Sequence, residues 1–319
     1  MSKTYRIGID LGGTNIAAGI VDENYNIIVK GSVPTNADRE AGEIIKDMGE
    51  LCNDLLKEAN LTPGDIKCAG IATPGAANRA TGVVEYANNL PFRKFPIAET
   101  LKKYLDVETV LIENDANAAA KGEAAAGAAK GCNYAVMITL GTGLGGGVII
   151  DKKVYSGFNY AGAELGHIVI EYNGRQCTCG RKGCWEAYSS ATGLINITKD
   201  KLAVTQDTLM HKLVAENNGE VSGKTAFAAA RQGDKAGIEV VNEYIEYLAC
   251  GVTTIINIFQ PEVLCIGGGV CKEGEYLTKP LTEIVNREQY TRDNPKKTEI
   301  KIASLGNDAG IIGAAVLDE

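Results

Sequence analysis

The chain has 319 residues, enough for two domains of ordinary size, and 45% of them are apolar, so packed cores are expected and disorder is excluded. Its 32 Lys and Arg stand against 40 Asp and Glu; a net charge of −8 argues against a nucleic acid partner, which needs a basic face. No run of 18 apolar residues offers a membrane span and the amino terminus enters a strand pattern at once, so no signal peptide and no membrane are expected, and the cytoplasm is the expected compartment.

Residues 5–11 (YRIGIDL) read as a strand, Gly12-Gly13 as a turn, 16–21 as a second strand and, after the polar turn Asp22-Glu23-Asn24, YNIIVKGS as a third. Positions 39–59 are spaced as a helix with Ile44, Ile45, Met48, Leu51, Leu55 and Leu56 on one face. CAGIATPG (68–75) is a strand stopped by Pro74-Gly75; ETLKKYL a short helix; VETVLIEND a strand; the Ala-rich 116–130 a helix. The pattern then restarts, with strand 135–140, a glycine turn, strand 148–151, a charged turn and KKVYSG as a third strand. The repeat, about 130 residues on, is too long for a solenoid and predicts two α/β domains of related topology, each opening with a meander. A long amphipathic helix at 235–258, a strand at 262–270 and a last helix capped by Asn307 or Asp308 complete the second half.

Nine cysteines in a chain this long, with no secretion signal, do not read as a disulfide frame. Cys52, Cys68, Cys132, Cys250, Cys265 and Cys271 are expected as small buried hydrophobes. Cys177, Cys179 and Cys184 are bunched, and with His167 they fill a tetrahedral zinc shell with no open position, so the metal would be structural; unmetallated thiols in a surface loop are the plain alternative. Glu164 and Glu186 bracket this loop and, with His167, suit a polyhydroxy ligand, although each alone could be a solvated surface charge. The other histidine, His211, reads as an ordinary helix residue.

Glycine is in excess, 38 residues or about 12% against a usual ~7%. Gly141 to Gly146 contains a literal G-x-G-x-x-G, but a strand pattern follows where a dinucleotide fold needs a helix. NGEVSGKT ends like a P-loop, yet Gly219 stands too close to Gly223, and Ser222 is read as a helix cap. Asp10 to Thr14, Gly141 to Gly147 and Gly267 to Gly269 remain as strand-terminal turns, two of them at matching positions of the repeat. They are tight hairpins or, as paired nests of bare N–H groups, a grip for a polyphosphate, with Asp10 placed to hold magnesium through water. Glu113-Asn114-Asp115 lies where a strand meets the Ala-rich helix: Asn114 or Asp115 is a cap, or Asp115 is a carboxylate that orients and deprotonates a hydroxyl. A helix N-terminus should lower the pKa of that carboxylate.

The motifs DLGGTN (10–15), ENDANAAAKGE (113–123), LGTGLGGG (140–147), ELGH (164–167), CTCGRKGCWE (177–186) and IGGGV (266–270) resemble those of the ROK family of sugar kinases, its bacterial glucokinases above all. The resemblance runs from residue 5 to about 317. It implies a two-domain, actin-like (ribonuclease H-like) α/β fold with an interdomain cleft, residues 1–115 plus 304–319 forming the smaller domain and 116–303 the larger, zinc-bearing one. It implies ATP-dependent phosphorylation of glucose at the 6-hydroxyl, with Asp115 as catalytic base and Asn89, Asn114, Asp115, Glu164, His167 and Glu186 holding the sugar. Asp10 with Mg²⁺, Gly12, Gly13, Thr14, Thr142, Gly143 and Gly268 would serve ATP, and His167, Cys177, Cys179 and Cys184 would bind zinc. A homodimer is the expected assembly. The rival readings are a kinase for mannose, fructose or N-acetylmannosamine, and a sugar-responsive repressor, which the acidic charge disfavours. Ala163 stands where many members have Gly, and Phe92 and Phe95 where many carry Trp.

Overall fold

A computed structural model describes residues 4–319. In chain order its elements are β1 Tyr5–Leu11, β2 Asn15–Val21, β3 Ile27–Pro34, α1 Ala41–Glu58, β4 Ile66–Thr73, β5 Ala76–Asn78, β6 Val83–Tyr86, β7 Arg93–Phe95, α2 Ile97–Leu101, β8 Val110–Asn114 and α3 Asp115–Ala126. There follow β9 Ala135–Leu140, β10 Leu144–Ile150, β11 Lys153–Val154, α4 Glu186–Ser189, α5 Ala191–Val204, α6 Leu209–Glu216, α7 Thr225–Arg231, α8 Lys235–Phe259, β12 Val263–Gly267, α9 Glu275–Glu288, β13 Glu299–Ile302 and α10 Asp308–Ala315. No helix among the described residues is long and apolar enough to cross a membrane.

Two five-stranded sheets carry the fold, in the orders β3-β2-β1-β4-β8 and β11-β10-β9-β12-β13. In both, the strands lie third, second, first, fourth, fifth, so the echo heard in the sequence is a repeat of topology. In the first sheet β1, β2 and β3 are antiparallel neighbours and β1, β4 and β8 run parallel, which brings the carboxyl ends of β1, β4 and β8 side by side.

The chain divides into two compact units. One runs to Met137 and takes in Gly147–Ala163 and Ser304–Glu319; the other comprises Ile138–Gly146 and Glu164–Ala303. The division differs from the expected one, because 116–137 and 147–163 also belong to the first unit. The reason is packing: the expected boundary fell at the start of α3, but Gly313 of α10 lies so close that a Cβ on it would stand 1.7 Å from the Ala118 carbonyl oxygen. A helix in backbone contact with the unit's last helix cannot belong elsewhere.

In the first unit the predicted stripe of α1 is buried against Ile7, Ile9, Leu11, Ile16 and Ile20 on one face of the sheet. The other face carries a row of glycines in register, Gly19, Gly8 and Gly70 on β2, β1 and β4. The backbone of α10 rests on this row. A Cβ at Gly8 would stand 1.8 Å from the carbonyl oxygen of Ile311, and one at Gly70 the same distance from that of Ala314. These mid-strand glycines serve neither a turn nor a ligand; they admit a helix. Arg6, paired with Asp318 and Glu319 at 2.8 and 2.9 Å, closes the end of the chain onto β1.

The second unit packs α8 as its central helix, with thirteen buried residues along it. Asp234 caps α8 through the Gly237 N–H at 2.7 Å and takes Leu209 N–H and the Thr208 hydroxyl at 2.8 Å, so one carboxylate also fixes the start of α6. Several expectations need correction. Ser222 does not cap α7: that position is Lys224, and Ser222 Oγ instead accepts the Lys224 N–H at 3.3 Å. Cys250 is exposed and Cys132 and Cys271 are half-buried, because α8 turns Cys250 away from its apolar stripe; Cys52, Cys68 and Cys265 are buried as expected. The third strand of the second meander shrinks to Lys153–Val154.

Candidate functional site

In the first unit, strand termini gather the candidates. Asp10 is the penultimate residue of β1 and is paired in register with Ala17 and Ala72. Beyond it Gly12 to Thr14 make the hairpin: Gly12 N–H donates to Asn15 O at 2.9 Å, and Thr35 clamps both sides, its hydroxyl on Gly12 O at 2.7 Å and its N–H on Thr14 O at 2.8 Å. Gly13 faces Asn89, whose Cβ lies 3.7 Å from where its own would be. Asn89 is exposed, in the loop between β6 and β7. Phe92, by contrast, is fully buried and stacked on Phe95, so this ring belongs to the core.

Asn114 is the cap of α3: its Oδ1 accepts the N–H groups of Ala116 and Asn117, and its Nδ2 donates to Gly75 O at 3.2 Å, leaving one amide hydrogen uncommitted by these bonds. Asp115 is the first helical residue, its Oδ1 taking Ala116 N–H at 2.9 Å. The helix N-terminus was expected to depress its pKa. The opposite holds: burial raises it and outweighs the backbone N–H groups and the Asn114 side chain, which makes Asp115 a better proton acceptor. Asp10 is pushed up to about 6, first by burial and then by the charge of Asp115. Two carboxylates near enough to oppose each other's ionisation, both hard oxygen donors, fit a divalent cation such as Mg²⁺.

In the second unit, Glu164 leads into a short 3₁₀ segment, Leu165–His167, and a narrow knot follows. Isolated bridges join Val169 to Cys184 and Gln176 to Lys182. Gly183 (φ +77°) lets the chain double back where a side chain would strike Glu171 O at 1.7 Å. The knot brings together all four predicted ligands: their donor atoms lie within 4.8 Å of one another, with Cys179 and Cys184 sulfurs 3.6 Å apart and Cys177 sulfur 3.7 Å from His167 Nδ1. A tetrahedral shell with Zn–S bonds of ~2.3 Å spaces its sulfurs at about 3.8 Å, so spacing and donor chemistry both fit zinc. Trp185 roots the knot, fully buried against Gly251 of α8 with its Nε1–H on Tyr247 O at 3.2 Å.

Glu186 links this knot to the glycine turn. One oxygen accepts Leu144 N–H at 2.9 Å; the other takes the hydroxyl of Thr178 at 3.4 Å and the thiol of Cys177 at 3.7 Å. A Cβ at Gly143 would come within 2.5 Å of that first oxygen, which explains glycine there. Thr142 is exposed at the tip, its carbonyl held by the Thr192 hydroxyl at 2.7 Å, and Gly268 (φ +85°) closes against the backbone of Leu140. Gly143 and Gly268 thus lie beside the end of β9, and Glu186 and His167 meet at the metal knot.

The model of the family described as "ROK family" matches residues 6–319. A glucokinase of Thermotoga maritima is 36% identical over 317 residues, covering 99% of this chain and 97% of its own. The chain belongs to the ROK family. Its fold is the two-domain, actin-like α/β fold of the ROK kinases: the structure of a ROK family glucokinase from Streptomyces griseus, in complex with glucose and AMPPNP, matches with a TM-score of 0.81 at 33% identity, covering 98% of each chain. ROK proteins are not all kinases, since a xylose repressor of Caldicellulosiruptor bescii is 28% identical over 98% of this chain and 77% of the repressor. Ala163 adopts φ +64°, in the left-handed region that favours glycine.

Sequence reasoning missed two features of this site. Arg79 forms an ion pair with Glu113 at 3.1 Å, and Asn117 donates to Glu113 at 3.1 Å. No local motif marks Arg79, and only the proximity of Glu113 to Asp115 hinted at a role.

Proposed function

We propose that this chain is a cytoplasmic glucokinase that transfers the γ-phosphoryl group of MgATP to the 6-hydroxyl of glucose. The observation that supports it most is Asp115, a half-buried carboxylate of raised pKa at a strand-to-helix junction one residue after the cap Asn114. Phosphoryl transfer asks chiefly for positioning and a proton acceptor. Asp115 accepts the proton of the 6-hydroxyl as its oxygen attacks, and Asn89 and Asn114 orient the ring. Glu164, His167 and Glu186 accept from and donate to the remaining hydroxyls. The N–H groups of Gly13, Thr14, Thr142, Gly143 and Gly268 cradle the nucleotide phosphates, and Gly12, its own N–H held by Asn15 O, shapes the turn that presents them. Mg²⁺, when bound, neutralises phosphate charge, and Asp10 is the residue that holds it. His167, Cys177, Cys179 and Cys184 hold a structural Zn²⁺, which fixes the imidazole so that its other nitrogen is free to meet the sugar.

Initial rates with glucose, mannose, fructose and N-acetylmannosamine, each against MgATP, test the assignment. Glucose should give the highest kcat/KM; a chain that turns over no hexose refutes it. Stripping the metal or substituting Cys179→Ser should release one zinc per chain, lower the melting temperature and raise the glucose KM, measured by metal analysis, calorimetry and kinetics. We further infer a homodimer, which light scattering checks.

A further inference from the structure

Beside the candidate base lies a polar cluster that none of the roles above uses. Glu113, 1% exposed, directly precedes Asn114 on β8. Its Oε1 accepts the Asn114 N–H at 3.0 Å and the Asn117 side-chain amide at 3.1 Å, while its Oε2 faces Arg79 Nη1 at 3.1 Å. Asn117 Oδ1 is buried without a hydrogen-bond partner among the described residues, so this amide is spent on Glu113 alone. A carboxylate buried this deeply is costly unless something is gained by its placement.

Arg79 comes from a different part of the first unit. It sits in the tight turn between β5 and β6, where Asn78 O accepts the N–H of Gly82 at 2.9 Å and Asn78 Oδ1 that of Ala80 at 3.2 Å. β5, β6 and β7 form the small three-stranded sheet whose other connection carries Asn89. A second tether runs alongside, from Asn114 Nδ2 to Gly75 O just before β5. The small sheet is therefore tied at two points to Glu113 and Asn114, the two residues that lead into Asp115.

We propose that Arg79 and Glu113 are a positioning pair that locks the small sheet to the first turn of α3, so that Asn89 and Asp115 are held in one fixed geometry towards the sugar. This rests on the kinase reading, because it assigns the pair to the sugar side of that reaction. Neither residue touches substrate; Glu113 acts through Asn114, and Arg79 through the turn it anchors. A guanidinium suits the task, since it stays charged and holds its fork in a set plane.

The test uses the whole chain with Arg79→Met, Arg79→Lys, Glu113→Gln and the Met/Gln double variant. Glu113→Gln keeps an acceptor for the Asn114 N–H, and the double variant leaves no buried charge unpaired, so folded protein is obtained even if Arg79→Met is unstable. Each pair-breaking single variant should raise the glucose KM and lower kcat, together by about tenfold or more in kcat/KM, with the ATP KM unmoved. The double variant should be no worse than the poorer single, and Arg79→Lys should recover part of the loss. Amide exchange in 78–82 and 114–117 should quicken in Glu113→Gln relative to the rest of the chain. Unchanged glucose kinetics, equal shifts in both KM values, or a lowered melting temperature with normal kinetics would each overturn the pair. A wild-type chain inactive on every hexose would instead overturn the kinase reading, and the exchange pattern would still report whether the tether exists.

Discussion

The two glycine hairpins are built on the same plan and equipped differently. Ile9-Asp10-Leu11-Gly12-Gly13-Thr14 leaves β1 as Ile138-Thr139-Leu140-Gly141-Thr142-Gly143 leaves β9, each on the first strand of a sheet with the same strand order. Asp10 and Thr139 hold the same place and the same half-buried state. The first hairpin thus carries its own carboxylate and has Asp115 as a charged neighbour. The second carries none and borrows Glu186, delivered to the Leu144 N–H from the metal knot. A repeated topology supplies two nests of backbone donors. On the proposed reading, single residues at one register position decide which hairpin works with a cation and which meets phosphate without a carboxylate of its own.

The largest test of that division is Asp115→Ala, which should lower kcat by at least about 10²-fold while calorimetry still detects glucose binding. Near-normal turnover would leave the first hairpin without a chemical partner. Next comes Asp10→Ala set against Thr139→Val. The first should raise the Mg²⁺ concentration for half-maximal rate by about 10- to 100-fold; the second should leave it unchanged, and equal effects would erase the distinction. Gly143→Ala drives a methyl group towards Glu186 and should cost about 1–3 kcal/mol of stability and raise the sugar KM, whereas Gly13→Ala finds room beside Asn89 and should change the melting temperature little. The smallest effect is expected where Glu164 enters the second unit. Ala163 is held at φ +64°, so Ala163→Gly should stabilise the chain by roughly 1 kcal/mol, read as a rise of a few degrees in thermal unfolding.

What could be read from the sequence was local and periodic. The stripe on α1, the paired meanders (the second with a shortened third strand) and the clustering of His167, Cys177, Cys179 and Cys184 all appear in the structure, because each is a pattern within a short window. What could not be read depends on contacts between distant segments. The three-residue strands β5 and β7 carry too few residues to show alternation, and β13 and α9 were passed over for lack of a motif. Arg79 meets Glu113 across 34 positions with nothing local to announce it. The fall in pKa expected for Asp115 came from its helix position, while the rise comes from desolvation that only the fold creates. Gly8, Gly19 and Gly70 lie inside strands with no local sign of what they serve; only register aligns them under α10.

That aligned row also bears on how the protein is made. β1, β2 and β4 leave the ribosome with a bare groove along one face, well before the helix that fills it. Some 240 residues separate Gly70 from Ile311, a delay of about 10–50 s at ~5–20 residues per second. For that interval the nascent amino-terminal half cannot complete its packing and is a natural client for chaperones. Arg6 and Glu319 are already joined at 2.9 Å, so a circular permutant that places Ser304–Glu319 ahead of β1 spans a short gap, and it should mature during synthesis with less help.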